Sequence, residues 1–187
     1  LLPMLDEIVK MLGLDLETID AIAAAGGPGS FTGLRIGAAT AKGLGLALKK
    51  PLIHVPTVDA LAYNMWGASG LICPILDARR SQVYGGGYVL QNGYPIEAFK
   101  GGAYTVEDFL EKTYECDRRL LLGDGTDAYG EKIAEARREK GKFTEFAPEA
   151  IRYQDAVTVG RLGAKLLQEG KGLSYQELLP DYMRQAE

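Results

Sequence analysis

The most distinctive stretch of the sequence is Gly26-Gly27-Pro28-Gly29-Ser30-Phe31-Thr32-Gly33-Leu34-Arg35-Ile36-Gly37. Its glycines and proline predict a tight turn. Ser30 or Thr32 is the predicted N-cap of a helix that continues to about Leu48. A small, apolar run from Ile19 to Ala25 comes before the turn and predicts a short buried strand. Because strands and helices alternate in this way along the chain, we expect an α/β fold.

The helix after the turn carries small residues at four-residue intervals, at Gly33, Gly37, Ala41 and Gly45. Residues with this spacing lie along one side of a helix, and their small size lets another backbone approach closely. An interior glycine costs roughly 1 kcal/mol of helix stability, which packing has to recover. The stripe therefore predicts a tight helix-packing interface.

A second candidate helix opens the chain and ends at Gly13. Its apolar residues recur at helical spacing, at Leu1, Leu5, Ile8 and Leu12. Such a helix is either a core element or a helix that also meets another chain. Together with the small-residue stripe, it is our candidate for a partner-binding face.

Three successive strands are predicted in the middle of the chain, before the later helices. They run from Leu71 to Leu76, from Gln82 to Leu90 and from Tyr94 to Phe99, with a hairpin signal at Asn92-Gly93. We place a domain boundary before them, so that residues 1–70 form an N-terminal lobe and residues 71–187 a C-terminal lobe. The apolar tail from Leu178 is expected to dock on the protein.

Composition excludes several classes of function. The chain has 21 Lys and Arg against 25 Asp and Glu, a net charge of −4, and an isoelectric point near 5.2. This balance argues against a protein whose main role is to neutralise nucleic-acid backbones. Cys73 and Cys116 form no Cys-x-x-Cys pair, which favours a reducing, cytoplasmic compartment. The single histidine, His54, excludes a His-pair zinc site and is expected to be a packing residue.

The start of the chain and its helices carry two further expectations. The first residue is Leu1 rather than Met, and the sequence is expected to be a fragment. Charged residues such as Arg35 and Lys42 interrupt the apolar helices, so no membrane span is expected.

The glycine turn fits none of three enzyme motifs. No lysine follows at the spacing of a phosphate-binding P-loop. The third glycine of a dinucleotide fingerprint is replaced by Thr32. A nucleophile elbow requires glycines where Pro28 and Thr32 stand on either side of Ser30.

Backbone amides at the turn remain a candidate site for an anion or for the polar groups of another chain. Arg35 either assists there or is an ordinary surface arginine. Asp77, at the end of its strand, either binds a metal or water or forms a salt bridge with the arginines that follow; Asp124, between two glycines, has the same ambiguity. The candidate residues are Gly27, Gly29, Ser30, Phe31, Thr32, Arg35 and Asp77.

The chain resembles the bacterial TsaB (YeaZ) family of tRNA threonylcarbamoyladenosine (t6A) biosynthesis proteins. The likeness is strongest in the glycine turn and continues through Ala41-Lys42-Gly43-Leu44, Pro51-Leu52-Ile53, Leu76-Asp77-Ala78-Arg79-Arg80 and Pro180-Asp181-Tyr182-Met183-Arg184. It implies a two-lobed fold similar to actin, Hsp70 and sugar kinases, with ribonuclease-H-like lobes, the first of which lacks its opening strands here.

The resemblance also implies a function. It points to a cytoplasmic subunit without catalytic residues that binds and activates a TsaD-type enzyme and is joined by a TsaE-type ATPase. The subunit would form a homodimer when alone, reach tRNA only through the complex, and share any ATP or ADP at an interface.

The TsaD-type relative carries a His-x-x-x-His metal pair whose positions fall on Thr57 and Leu61 here, so no metal site is expected. The alternatives are an ATP-binding, kinase-like enzyme and a glycoprotease-like hydrolase.

Overall fold

The structure is a computed structural model, and it describes residues 1–182. A 3-10 turn at Leu16–Thr18 follows the first helix. In chain order the helices and strands are α1 (Leu2–Leu12), β1 (Ile22–Gly27), α2 (Phe31–Leu48), β2 (Leu52–Pro56), α3 (Thr57–Tyr63), β3 (Leu71–Asp77), β4 (Gln82–Gln91), β5 (Tyr94–Thr105), α4 (Val106–Lys112), β6 (Arg119–Leu122), α5 (Gly125–Arg138), β7 (Glu145–Phe146), α6 (Glu149–Arg152) and α7 (Ala156–Gln168).

The chain divides into two compact units, at positions that differ from the predicted boundary after residue 70. Unit 1 contains Leu1–Pro56 and the chain from Val159 onward, and unit 2 is Thr57–Thr158. Helix α3 belongs to unit 2 because its apolar side chains pack in one cluster with Ile72 of β3. The C-terminal segment belongs to unit 1 because Leu173 forms an isolated β-bridge with Leu52.

Unit 1 is a strand–helix–strand element covered by later parts of the chain. Strands β1 and β2 pair in parallel, and α2 connects them. Its core joins Ala41 of α2, Leu52 of β2 and Leu178. Helix α7 packs closely on β1: a Cβ atom at Gly163 would lie 2.5 Å from the Cβ of Ala23. The predicted docking of the C-terminal tail is confirmed as far as Tyr182; Met183 and Arg184 lie outside the described residues.

Unit 2 is built on a five-stranded mixed sheet with the order β5-β4-β3-β6-β7. The three predicted successive strands are confirmed, and they pair antiparallel, whereas β6 and β7 run parallel to β3. Every residue from Leu71 to Leu76 is buried. Ile72 and Leu76 pack in one apolar cluster, and Cys73 and Ile75 pack in another with Phe109 of α4, because successive side chains of a strand point to opposite faces.

Two arginines of unit 2 are buried, and one of them belongs to helix α5 itself. Burial of Arg137 is compensated because its guanidinium donates to carbonyl oxygens in two loops: Thr113 at 3.0 Å and Cys116 at 2.8 Å after α4, and Phe143 at 3.0 Å after α5. Arg119 of β6 is also buried. Burial, together with the charge of Arg137, lowers the pKa of Arg119 to about 10.

Within residues 1–182, no helix is both long enough and apolar enough to cross a membrane.

Candidate functional site

The glycine turn joins β1 to α2 and starts the helix as predicted. Ser30 is the N-cap, and its Oγ accepts a hydrogen bond from the Gly33 amide at 3.3 Å. The Leu34 amide donates to the Ser30 carbonyl at 2.8 Å. The turn residues from Gly29 to Thr32 are exposed, whereas Gly26 and Gly27 are buried. The two halves of the turn therefore have different surroundings.

The buried half of the turn is covered by the protein's own C-terminal strap, which we define as residues 173–182. The Asp181 amide donates to the Gly26 carbonyl at 2.7 Å. Gly27 has a φ of 124°, and a Cβ atom there would lie 2.6 Å from the Asp181 carbonyl oxygen. Gly27 is required by the close approach of the strap, because a side chain there would occupy the place of the strap backbone.

His54 of β2 lies under the same turn. A Cβ atom at Gly26 would overlap its ring, and its Nε2 lies 3.4 Å from Asp181 Oδ2. Nε2 makes no hydrogen bond within the described chain. The imidazole thus packs between a glycine and the strap, in agreement with its expected role as a packing residue.

Arg35 is stacked on aromatic rings at the exposed edge of the turn. Its guanidinium carbon lies 4.0 Å from the centre of the Phe31 ring and 6.0 Å from that of Tyr182. The two rings are 5.4 Å apart, and Arg35 Nε donates to the Tyr182 hydroxyl at 3.3 Å. The strap therefore holds the arginine in place on the first turn of α2, which neither of the two sequence-based alternatives foresaw.

The small-residue stripe of α2 divides between the core and the surface. Ala41 and Gly45 are buried, and a Cβ atom at Gly45 would lie 2.6 Å from Leu52 Cδ2 of β2. The prediction that these two positions meet a partner is wrong, because the tight packing they permit is internal to unit 1. Gly33 is exposed, and a Cβ atom at Gly37 would have no neighbour within 4 Å.

Helices α1 and α2 present large apolar side chains to solvent. Helix α1 has no buried residue, so the alternative that it is a core helix is wrong. On α1, Ile8 is 49% exposed and Met11 is 75% exposed. On α2, Ile36 is 53% exposed and Leu46 is 55% exposed, and Ala39 and Gly43 between them are exposed as well. We call these surfaces the apolar helix faces; their large members are Leu1, Leu2, Met4, Ile8, Met11, Leu12, Ile36 and Leu46.

The sequence predicted only part of the apolar helix faces. Leu1, Ile8 and Leu12 were predicted and are exposed, whereas Leu5 is half-buried. Ile36 and Leu46 were not predicted. They lie ten residues apart, near three helical turns, and this spacing was a usable signal for a shared face.

Asp77 belongs to unit 2 and ends β3 in a salt-bridged turn. Its Oδ1 accepts hydrogen bonds from the Arg79 amide at 2.7 Å and from the Tyr129 hydroxyl at 3.2 Å, and its Oδ2 pairs with Arg79 Nη1 at 3.0 Å. Burial and the bond to this carboxylate raise the pKa of Tyr129. Asp77 is therefore engaged within its own turn, which is the second of its two predicted roles.

The remaining candidate ligands and thiols form no metal site within the described residues. Within residues 1–182, no three His, Cys, Asp or Glu side chains are grouped to hold a metal ion. Thr57 and Leu61, at the positions of the His-x-x-x-His pair, are both buried in α3, and neither side chain suits a transition metal. Cys73 and Cys116 are free thiols, and burial raises the pKa of Cys73.

Fold and relatives together define the class of this protein. The mixed sheet with its helices is an α/β fold of the kind found in actin, Hsp70 and sugar kinases. A crystal structure described as an uncharacterized protein with similarity to peptidase YEAZ from Pseudomonas aeruginosa matches with a TM-score of 0.78 at 26% identity, over 98% of this chain and 82% of that one.

The relatives of this chain in sequence are t6A biosynthesis proteins. A family model described as TsaD, tRNA N6-adenosine threonylcarbamoyltransferase, matches residues 1–187. The Bacillus subtilis (strain 168) tRNA threonylcarbamoyladenosine biosynthesis protein TsaB is 33% identical over 187 residues, 100% of this chain and 79% of the relative. The TsaB protein of Escherichia coli (strain K12) is 41% identical over 86 residues, 45% of this chain and 37% of the relative. The chain therefore belongs to the TsaD family of proteins and, within it, to the TsaB (YeaZ) group.

Proposed function

We propose that this protein is a non-catalytic subunit of t6A biosynthesis that binds and activates a TsaD-type enzyme. The observation that carries the proposal is the pair of apolar helix faces on α1 and α2. Burying apolar surface contributes roughly 25 cal/mol per Å², and a soluble monomer rarely leaves large connected apolar surfaces uncovered. A helix with Ile8, Met11 and Leu12 in solvent gains stability when another protein covers it.

The chemistry of the residues supports a binding role rather than a catalytic one. Asp77, the strand-end carboxylate that a kinase-like enzyme would use, is held by Arg79 and Tyr129. Ser30, the hydroxyl nearest to a nucleophile elbow, caps α2. Thr57 and Leu61 stand where the TsaD-type relative is expected to carry its metal-binding histidines. Each of these residues thus has a structural role or the wrong chemistry for catalysis.

The apolar helix faces could be covered by different partners in turn. Without the TsaD-type enzyme, a second copy of this chain would cover them in a homodimer. In the complete assembly a TsaE-type ATPase joins, ATP or ADP lies at a shared interface, and tRNA is reached only through the complex. These assignments extend the family resemblance, and a cytoplasmic location follows from them.

Calorimetric titration of the full chain with the TsaD-type protein of the same genome tests the proposal. We expect saturable binding with a negative heat-capacity change, because apolar surface is buried. Size exclusion should show a homodimer that gives way to a heterodimer as the enzyme is added. No binding at micromolar concentrations of both proteins would contradict the proposal.

A further inference from the structure

Arg35 stands out as a cation without a carboxylate partner within residues 1–182. The sequence from residue 21 to residue 56 contains four Lys and Arg, namely Arg35, Lys42, Lys49 and Lys50, and no Asp or Glu. The strand–helix–strand element of unit 1 therefore supplies no carboxylate for Arg35. Its one hydrogen bond in the described chain uses Nε, with the Tyr182 hydroxyl as acceptor.

The guanidinium is nevertheless held in a defined position. It lies 4.0 Å from the centre of the Phe31 ring, and its Nε bond ties it to the strap. A guanidinium has five N–H donors, so four donors on Nη1 and Nη2 remain after this bond. Stacking of this kind removes conformational freedom before any ligand arrives, which lowers the entropic cost of a later bond.

The surroundings of Arg35 are apolar and exposed. Phe31 is exposed, Ile36 follows on the same helix, and Leu179 and Tyr182 are exposed on the strap. A charged donor pair framed by apolar side chains matches a carboxylate that is itself framed by apolar side chains, because arginine binds a carboxylate through two parallel hydrogen bonds.

We propose that Arg35 is a receptor for a side-chain carboxylate of the partner protein, and that the strap, through Tyr182, presents it. The assignment rests on the proposed function and identifies one specific contact between this protein and the TsaD-type enzyme. It extends the partner surface from α2 onto the C-terminal strap, which was outside the predicted interface. The partner is thereby expected to present an Asp or Glu beside apolar residues.

Three variants of the full chain test this assignment by titration with the TsaD-type enzyme. Arg35→Met keeps the apolar stem over Phe31 but removes the charge, and we expect at least about 10-fold weaker binding. Arg35→Lys keeps the charge but loses the two-bond geometry, and we expect an intermediate loss. Arg161→Met, at an exposed arginine of α7 in unit 1 and outside the apolar helix faces, is the matched control and should bind within about 2-fold of the unchanged chain.

Salt provides a second readout. The dependence of binding on ionic strength should be weaker for Arg35→Met than for the unchanged chain, because one ion pair is lost. Equal affinity and equal salt dependence of Arg35→Met and the unchanged chain would overturn the assignment alone. Failure of the unchanged chain to bind would overturn the proposed function and this contact with it.

The protein's own tail is tested separately. If the effect of Arg35→Met vanished in a chain ended after Tyr182, with the new terminus amidated so that no carboxylate is created beside Arg35, the carboxylate would belong to the tail and the assignment would be wrong. If the effect persisted in the shortened chain, the carboxylate would be the partner's, as proposed.

Discussion

Replacing Ile8 with aspartate is expected to weaken binding to the TsaD-type enzyme by at least about 100-fold, equivalent to about 2.7 kcal/mol. Ile8 is 49% exposed in α1 and contributes little to the core of its own chain. The variant should therefore fold normally, but complex formation would bury an unpaired carboxylate, which costs far more than leaving it in water. Titration calorimetry with both proteins at the same salt concentration provides the measurement.

Ile96→Asp is the matched control for this experiment. Ile96 of β5 has a similar exposure, 43%, but lies in unit 2 and outside the apolar helix faces. It should change the affinity by less than about 2-fold, since a substitution at the surface away from a contact has little effect. If both variants bound as tightly as the unchanged chain, α1 would not be part of the interface. If both lost binding equally, the effect would not be specific to α1.

Replacing Arg137 with methionine is expected to lower the free energy of unfolding by about 3–5 kcal/mol, because several buried carbonyl groups lose a charged donor. The guanidinium donates to the carbonyls of Thr113, Cys116 and Phe143, and methionine would remove this donor from all three. The Tyr114 carbonyl would keep its bond from Lys142 Nζ at 2.8 Å. Urea unfolding followed by far-ultraviolet circular dichroism measures this change, because the single tryptophan, Trp66, is 71% exposed and would report unfolding poorly.

Arg119→Met compares two opposing contributions to stability, namely the cost of burying a charge and the gain from its hydrogen bonds. Arg119 donates only to neutral acceptors, namely Thr113 Oγ1, Thr144 Oγ1 at 3.0 Å and the Ile133 carbonyl at 3.4 Å. Its Nε has no partner within residues 1–182, and the like charge of Arg137 opposes its own. We expect a loss of only about 1–2 kcal/mol, because removal of a poorly compensated buried charge offsets the lost bonds. The exposed Arg138→Met should lie within about 0.5 kcal/mol of the unchanged chain. A larger loss for Arg119 than for Arg137 would contradict this account of unit 2.

The elements that the sequence predicted best are those specified by neighbouring residues. Asn92-Gly93 predicted a hairpin, and both residues have the positive φ that such a turn requires. Ser30 was one of the two predicted N-caps of α2, and its Oγ accepts a bond from the amide three residues later. In each case a short side chain or a missing one determines the local backbone directly.

The parts that could not be predicted depend on residues far apart in the chain. Four-residue spacing shows that Ala41 and Gly45 share a side of α2, but only the pairing with Leu52 directs that side to the core. Asp181 bonds to Gly26 although the two residues are more than 150 positions apart. The sequence of the turn alone therefore could not predict that the C-terminal strap covers it. Burial of the charged Arg137 depends on acceptors at Thr113 and Cys116, more than twenty residues earlier, as well as on Phe143, so the sequence around it gives no sign of it.

Measuring t6A formation on tRNA by the reconstituted enzyme system, with and without the full chain, tests the central claim most directly. Purified TsaD-type and TsaE-type proteins, the activated threonylcarbamoyl donor, ATP and tRNA are held constant, and modified nucleoside is quantified by mass spectrometry. The account predicts that modification requires the chain and that Ile8→Asp fails to replace it at equal concentration, whereas Ile96→Asp succeeds. Full modification in the absence of the chain would contradict the claim that it activates the enzyme.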